Sequence, residues 1–139
     1  NTREKQREHF KKVLISPSDI QLAIEYKRNK KLIGTVGLHV IDFINSNADI
    51  AVILGDKKYW NRGVGRESVA LLIDHAFTML NLHKLTAGMV KENQGSYRLF
   101  AGLGFRLEGL LREQIYLHGK YHDILKLGLL RREVIKSSR

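Results

Sequence analysis

The chain has 139 residues, 43% hydrophobic and 27% charged, a size and balance that suit one folded domain spanning residues 1–139. No apolar run approaches the roughly 20 residues needed to cross a membrane, and the charged start NTREKQREHFKK does not read as a secretory signal. With no cysteine there are no disulfides and no thiolate metal sites, which fits a cytoplasmic setting. The 24 basic residues outweigh 14 acidic ones to give a net charge of +10, which favours a polyanionic partner: nucleic acid, an acidic membrane face or a phosphate-rich small molecule.

In chain order, residues 3–14 are expected to be helical, ending at the SPSD break. IQLAIEYK (20–27) alternates as a strand does, and 28–31 is a polar turn into a second strand, LIGTVGLHVID (32–42). INSNA turns the chain again, and DIAVIL (49–54) is a third strand, so these three form an antiparallel meander. From Val64 the apolar positions Val69, Leu72, Ile73, Ala76, Phe77 and Leu80 keep helical spacing and mark one buried face. KLTAGMV (84–90) returns as a strand and completes a β-α-β unit. Residues 93–104 form a shorter helix closing on glycine, and 105–117 and 121–130 are two strands joined at His118, Gly119 and Lys120. The fold class is a mixed α/β domain: a largely antiparallel sheet with helices on both faces.

The second helix signal opens on YWNRGVGRE (59–67), two glycines one residue apart between arginines. A helix N-terminus leaves backbone N–H groups without partners and carries partial positive charge, and glycine lets an anion approach closely. Gly63 and Gly65 supply that approach for a phosphate, while Arg62 and Arg66 add charge. The motif alone fits equally a glycine-rich connection into a packed helix. A Walker loop is excluded because no Gly-Lys-Ser/Thr follows, and the dinucleotide pattern G-x-G-x-x-G fails at Ser68.

The motif, its place after the third strand, and the block ENQGSYRLFAGLGFRLEG (92–109) together resemble the GNAT superfamily of acetyl-CoA-dependent N-acetyltransferases. The pyrophosphate loop of that family, Q/R-x-x-G-x-G/A, is matched by Trp60-Asn61-Arg62-Gly63-Val64-Gly65. Tryptophan in the first position resembles the subgroup of ribosomal-protein N-terminal acetyltransferases, and LNLHKL (80–85) resembles both that subgroup and bacterial spermidine N-acetyltransferases. Members usually begin with a further strand and helix, so the front of this chain looks trimmed.

The resemblance implies acetyl-CoA as donor and an amine as acceptor: a protein N-terminus, an amino sugar or another small amine. Spermidine is disfavoured by the basic surface and by Phe100 in place of a family tyrosine. The resemblance sets the pantetheine arm against residues 50–54, near Val52, Ile53 and Leu54. It sets the pyrophosphate against the loop Asn61, Arg62, Gly63, Val64, Gly65 and Arg66, with Asn93, Ser96 and Phe100 completing the cofactor set. Asp49, fourteen residues before Gly63, is the expected general base, acting through water because its arm is shorter than glutamate. Ser96 is the expected proton donor to the departing thiolate, with Tyr97 a weaker candidate. No metal site is expected, since His118 and His122 sit four apart on a hairpin. A homodimer is an expectation from relatives; no membrane or nucleic-acid partner is expected. The rivals are a basic RNA- or ribosome-binding module and a non-catalytic acyl-CoA sensor on the same fold.

Overall fold

The computed structural model describes residues 9–16, 18–55 and 57–134. Strands β1 (His9–Ser16), β2 (Asp19–Tyr26), β3 (Lys31–Asp42) and β4 (Asn47–Leu54) run as an antiparallel meander. Helix α1 (Val64–Thr78) then crosses to β5 (Lys84–Val90), which lies parallel to β4, and α2 (Gln94–Gly102) crosses to β6 (Arg106–Leu117). Strand β7 (Lys120–Leu130) returns between β5 and β6, antiparallel to both, so the sheet order is β1-β2-β3-β4-β5-β7-β6. One parallel contact among six makes the sheet largely antiparallel, as expected from the strand spacing.

Both crossovers advance in the same direction along the sheet. Right-handed connections therefore bring both helices to one face. Their apolar positions meet the inward residues of the strands there. Val69, Leu72, Ile73, Ala76 and Phe77 of α1 and Phe100 of α2 share a cluster with Val36, Leu38, Ala48, Ile50, Leu85, Ala87, Met89 and Leu127. Burying each large aliphatic or aromatic side chain contributes about 1.5–3 kcal/mol, so this face dominates stability. The expectation of helices on both faces is met, among the described residues, by helices on one. The opposite face carries Asp49, Ala51, Ile53, Lys84, Thr86, Gly88 and Lys126, all half-buried or exposed.

Helix α1 ends where Leu82 N–H returns to Ala76 O at 3.0 Å and Asn81 takes φ 56°, a left-handed conformation that asparagine tolerates. Helix α2 starts on Asn93, whose Oδ1 accepts from Ser96 N–H at 3.0 Å, and is followed by Gly104 at φ 101°. One expectation is overturned. Residues 9–14, read as helix, belong to strand β1, and the remainder of that segment, 3–8, lies outside the described residues. The free edge of β2 offers a hydrogen-bonding partner from His9↔Glu25 to Ser16↔Asp19, and this tertiary pairing outweighs local helix propensity.

Candidate active site

The site begins where two parallel strands part. Strands β4 and β5 pair over three registers only, Asn47↔Lys84, Ala48↔Leu85 and Asp49↔Thr86. Beyond Asp49 the other edge of β4 stays bonded to β3, with Ile50↔Leu38 through Leu54↔Gly34. The edge of residues 50–54 that looks toward β5 is thus left unpaired, and a cleft opens from Asp49 and Thr86 outward. Of its expected lining, Val52 and Leu54 are half-buried and Ile53 is exposed. Backbone groups on that edge need partners, which an extended, amide-bearing ligand can supply.

At the wide end of the cleft stands the head of α1. Gly63 is its N-cap at φ 81° and ψ −2°, with no side-chain cap. A Cβ built there would meet nothing within 4 Å, so the backbone is open on that side. The first helical bond runs from Glu67 N–H to Gly63 O at 2.9 Å. Among the described residues the N–H groups of Asn61, Arg62, Gly63, Val64, Gly65 and Arg66 have no acceptor. Six such donors at the positive end of a helix form a site for an anion.

The two glycines do different work. Gly63 gives the left-handed turn and open access. Gly65 is buried, and the absence of a Cβ there lets Leu99 and Leu54 close in. The two arginines also part. Arg66 Nη2 donates to Gly102 O at 3.1 Å, tying α1 to the carbonyl end of α2. Arg62 is exposed and, among the described residues, enters no hydrogen bond or ion pair, so it alone of the two is available to an anion.

Trp60 has a role that sequence reasoning missed. Its Nε1 donates to Leu54 O at 2.9 Å, and Lys57 Nζ lies 5.7 Å from the ring centroid. The indole pins the loop to the last residue of β4 and so fixes the helix head relative to the cleft. No sequence signal gives this, because the bond goes to a backbone atom.

Asp49 lies at the narrow end, on the face away from the helices. Its Oδ1 accepts from Thr86 Oγ1 and lies 3.7 Å from Lys126 Nζ. Thr86 and Lys126 were not singled out by sequence, although strand alternation sets both on the polar face with Asp49. Ser96 is half-buried in the first turn of α2, and Asn93 spends its side-chain oxygen on the helix cap. Tyr97 packs against the core. Phe100 is 2% exposed and packs edge-on to Phe105 with ring centroids 5.1 Å apart, in the core beneath the start of β6.

Near α2, His122 Nδ1 lies 3.3 Å from Glu92 Oε1, and Nε2 lies 3.1 Å from Leu117 O. The Glu92 carboxyl is held below the ordinary range, first by its own backbone N–H and then by the His122 hydrogen bond. That pair joins the start of α2 to the β6–β7 hairpin. Among the described residues no group of three or more His, Asp or Glu is arranged to hold a metal ion, and no helix is long and apolar enough to cross a membrane.

This geometry has counterparts in known proteins. An N-acetyltransferase from Bacillus licheniformis, named p20 and uncharacterized, is 38% identical over 113 residues, 81% of this chain and 63% of its own length. A spermidine N(1)-acetyltransferase of Vibrio cholerae is 31% identical over 109 residues, covering 78% of this chain and 62% of that protein. The chain therefore spans less than two thirds of the length of these relatives. The crystal structure of a Vibrio cholerae spermidine N-acetyltransferase in complex with CoA and spermine superposes with a TM-score of 0.78 at 29% identity, over 84% of this chain and 68% of that one. The family profile described as an acetyltransferase (GNAT) domain matches residues 1–106, which take in β1 through α2 with the cleft and the helix head, and the chain belongs to that family.

Proposed function

We propose that this chain transfers an acetyl group from acetyl-CoA to a primary amine, directly and without an acyl-enzyme intermediate. One observation carries the reading: a cleft that opens between β4 and β5 at Asp49 and ends at the head of α1, where the amides of residues 61–66 have no acceptor among the described residues. The diphosphate of coenzyme A suits those amides and Arg62, and the open side of Gly63 leaves room for it. The amide-bearing pantetheine arm suits the unpaired edge of residues 50–54, past Val52, Ile53 and Leu54. The thioester end then falls toward Asp49.

An amine with pKa near 10 is mostly protonated at neutral pH. Asp49 takes that proton, directly or through one water; the neutral nitrogen attacks the thioester carbonyl, and the C–S bond breaks as the amide forms. A positioned base of this kind contributes roughly 10²–10⁴-fold. The thiolate leaves with or without a proton from Ser96, which stands at the start of α2. The missing cysteines exclude a cysteine acyl intermediate and suit a cytoplasmic setting.

The acceptor is a primary amine on a protein N-terminus, an amino sugar or another small molecule. The relatives named for spermidine add that polyamine to the same set. Self-association is part of the reading. The structure of one Vibrio cholerae relative is described as dodecameric, and the β6–β7 hairpin here exposes Leu107, Leu110, Tyr116 and Tyr121.

Calorimetry with acetyl-CoA, followed by thiol release with spermidine, glucosamine and a short peptide as acceptors, tests the proposal. Binding and thiol release are expected in the unsubstituted chain. Gly63→Glu is expected to abolish binding, and an unchanged affinity would refute the phosphate role. Binding without thiol release from any amine would leave an acyl-CoA sensor instead.

A further inference from the structure

We propose that Thr86 and Lys126 are positioning residues for Asp49: together they hold one carboxylate oxygen and leave the other to the acceptor amine. The inference rests on the reading of Asp49 as the base. Thr86 faces Asp49 in the last parallel register before the strands part, and its hydroxyl donates to Oδ1. Lys126 Nζ approaches the same Oδ1 at 3.7 Å. Among the described residues Oδ2 accepts no hydrogen bond. Oδ1 thus carries the Thr86 hydrogen bond and the Lys126 approach, and Oδ2 accepts no hydrogen bond.

Lys126 reaches Asp49 across Gly88, its register partner on β5. A Cβ on Gly88 would lie 3.4 Å from Lys126 Cδ and 3.5 Å from Nζ, so a single methyl would fill the contact and any longer side chain would displace the lysine. Glycine is a poor strand residue, and here it gives the lysine a seat on the sheet. The remaining charged groups facing Asp49 point elsewhere. His39, opposite Asp49 on β3, leans toward Asp19 at 4.0 Å, and Lys84 is bound to Glu108 at 2.8 Å. Among the described residues Lys126 is therefore the cation that Asp49 answers to.

The Asp49 and Lys126 side chains are 43% and 36% exposed, and a pair so open to water adds little to stability. Orientation is what the arrangement supplies. Aspartate has a short arm, and a misplaced base loses much of its rate advantage. When the amine arrives, its proton goes to Oδ2, while the Thr86 hydroxyl and the Lys126 ammonium stay on Oδ1 and keep the carboxylate from turning.

The test compares the unsubstituted chain with Asp49→Asn, Thr86→Val, Thr86→Ser, Lys126→Gln, Lys126→Arg and Gly88→Val. Thiol release is followed from acetyl-CoA with spermidine, glucosamine and a short peptide across pH. Thr86→Val, Lys126→Gln and Gly88→Val are expected to lower kcat by roughly 10- to 100-fold with KM for acetyl-CoA unchanged. Thr86→Ser and Lys126→Arg, which keep the donors, are expected to recover most of the rate. If Asp49→Asn lowers kcat while Thr86→Val and Lys126→Gln do not, the positioning role is wrong and the base stands. If Asp49→Asn changes nothing, or no amine releases thiol from the unsubstituted chain, the reading beneath it fails first.

Discussion

Leu99 of α2 meets the head of α1 at Gly65: its Cδ1 lies 3.2 Å from the point that a Cβ on Gly65 would occupy, with Leu54 Cδ1 at 3.5 Å. The second motif glycine is thereby a packing residue between two helices and the end of β4. A methyl at this site displaces Leu99 by a few tenths of an ångström and gains helix propensity, so Gly65→Ala is expected to be near neutral. A branched side chain overfills the contact, and Gly65→Val is expected to cost about 1–3 kcal/mol. Urea unfolding measures both; an unshifted midpoint for the valine variant would remove the packing role.

Gly63 differs because its demand is on the backbone. At φ 81° an L residue is strained, by about 1–2 kcal/mol for alanine. Gly63→Ala is expected to lose about that much stability, and Gly63→Asn less, since asparagine tolerates the left-handed region. Denaturation of the two variants side by side checks the order. Equal losses would point to contacts rather than to φ.

The indole of Trp60 joins the loop to Leu54 O, and Trp60→Phe removes that donor while keeping the ring. The loss in stability is expected to be about 0.5–1.5 kcal/mol, toward the low end because the side chain is 49% exposed. Acetyl-CoA affinity is expected to fall as well, because the anion-facing loop loses its tether to β4. Calorimetry settles it: full affinity in the phenylalanine variant would mean the tether is irrelevant to the cofactor.

Asp42 organises the turn between β3 and β4. Its Oδ1 accepts from Ile44 and Asn45 N–H, both at 2.9 Å, and Oδ2 from Asn45 Nδ2 at 2.8 Å. The Asn45 N–H, then the Asn45 amide, hold its carboxyl below the ordinary 3.8, against a smaller opposing effect of burial. The folded value lies below the unfolded one, so the stabilisation is fully present above 3.8 and fades as pH falls through the folded value. Asp42→Asn keeps an acceptor and removes the titration. The stability gap between the two proteins is therefore expected to close between about pH 4 and lower pH. A gap independent of pH would exclude the carboxylate.

Periodicity and turn residues made most of the fold legible. Alternation located β2 to β5 and the final hairpin, and helical spacing named Val69, Leu72, Ile73, Ala76 and Phe77, which are buried, and Leu80, which is half-buried just past the helix end. It failed at residues 9–14, where a charged segment with helical character pairs with β2, because strand formation there depends on a partner chain segment that local propensity does not see.

Sequence by itself determined the pattern of elements from β2 onward and the family, since both live in residue order: burial periods and a glycine motif ahead of a helix. The tertiary structure alone decided how shared residues divide their tasks. It separated Gly63 from Gly65 and Arg62 from Arg66, and brought Thr86, Gly88 and Lys126 to Asp49. Those relations are distances between strands far apart along the chain, and only the packed sheet, with its register and its splay, sets them.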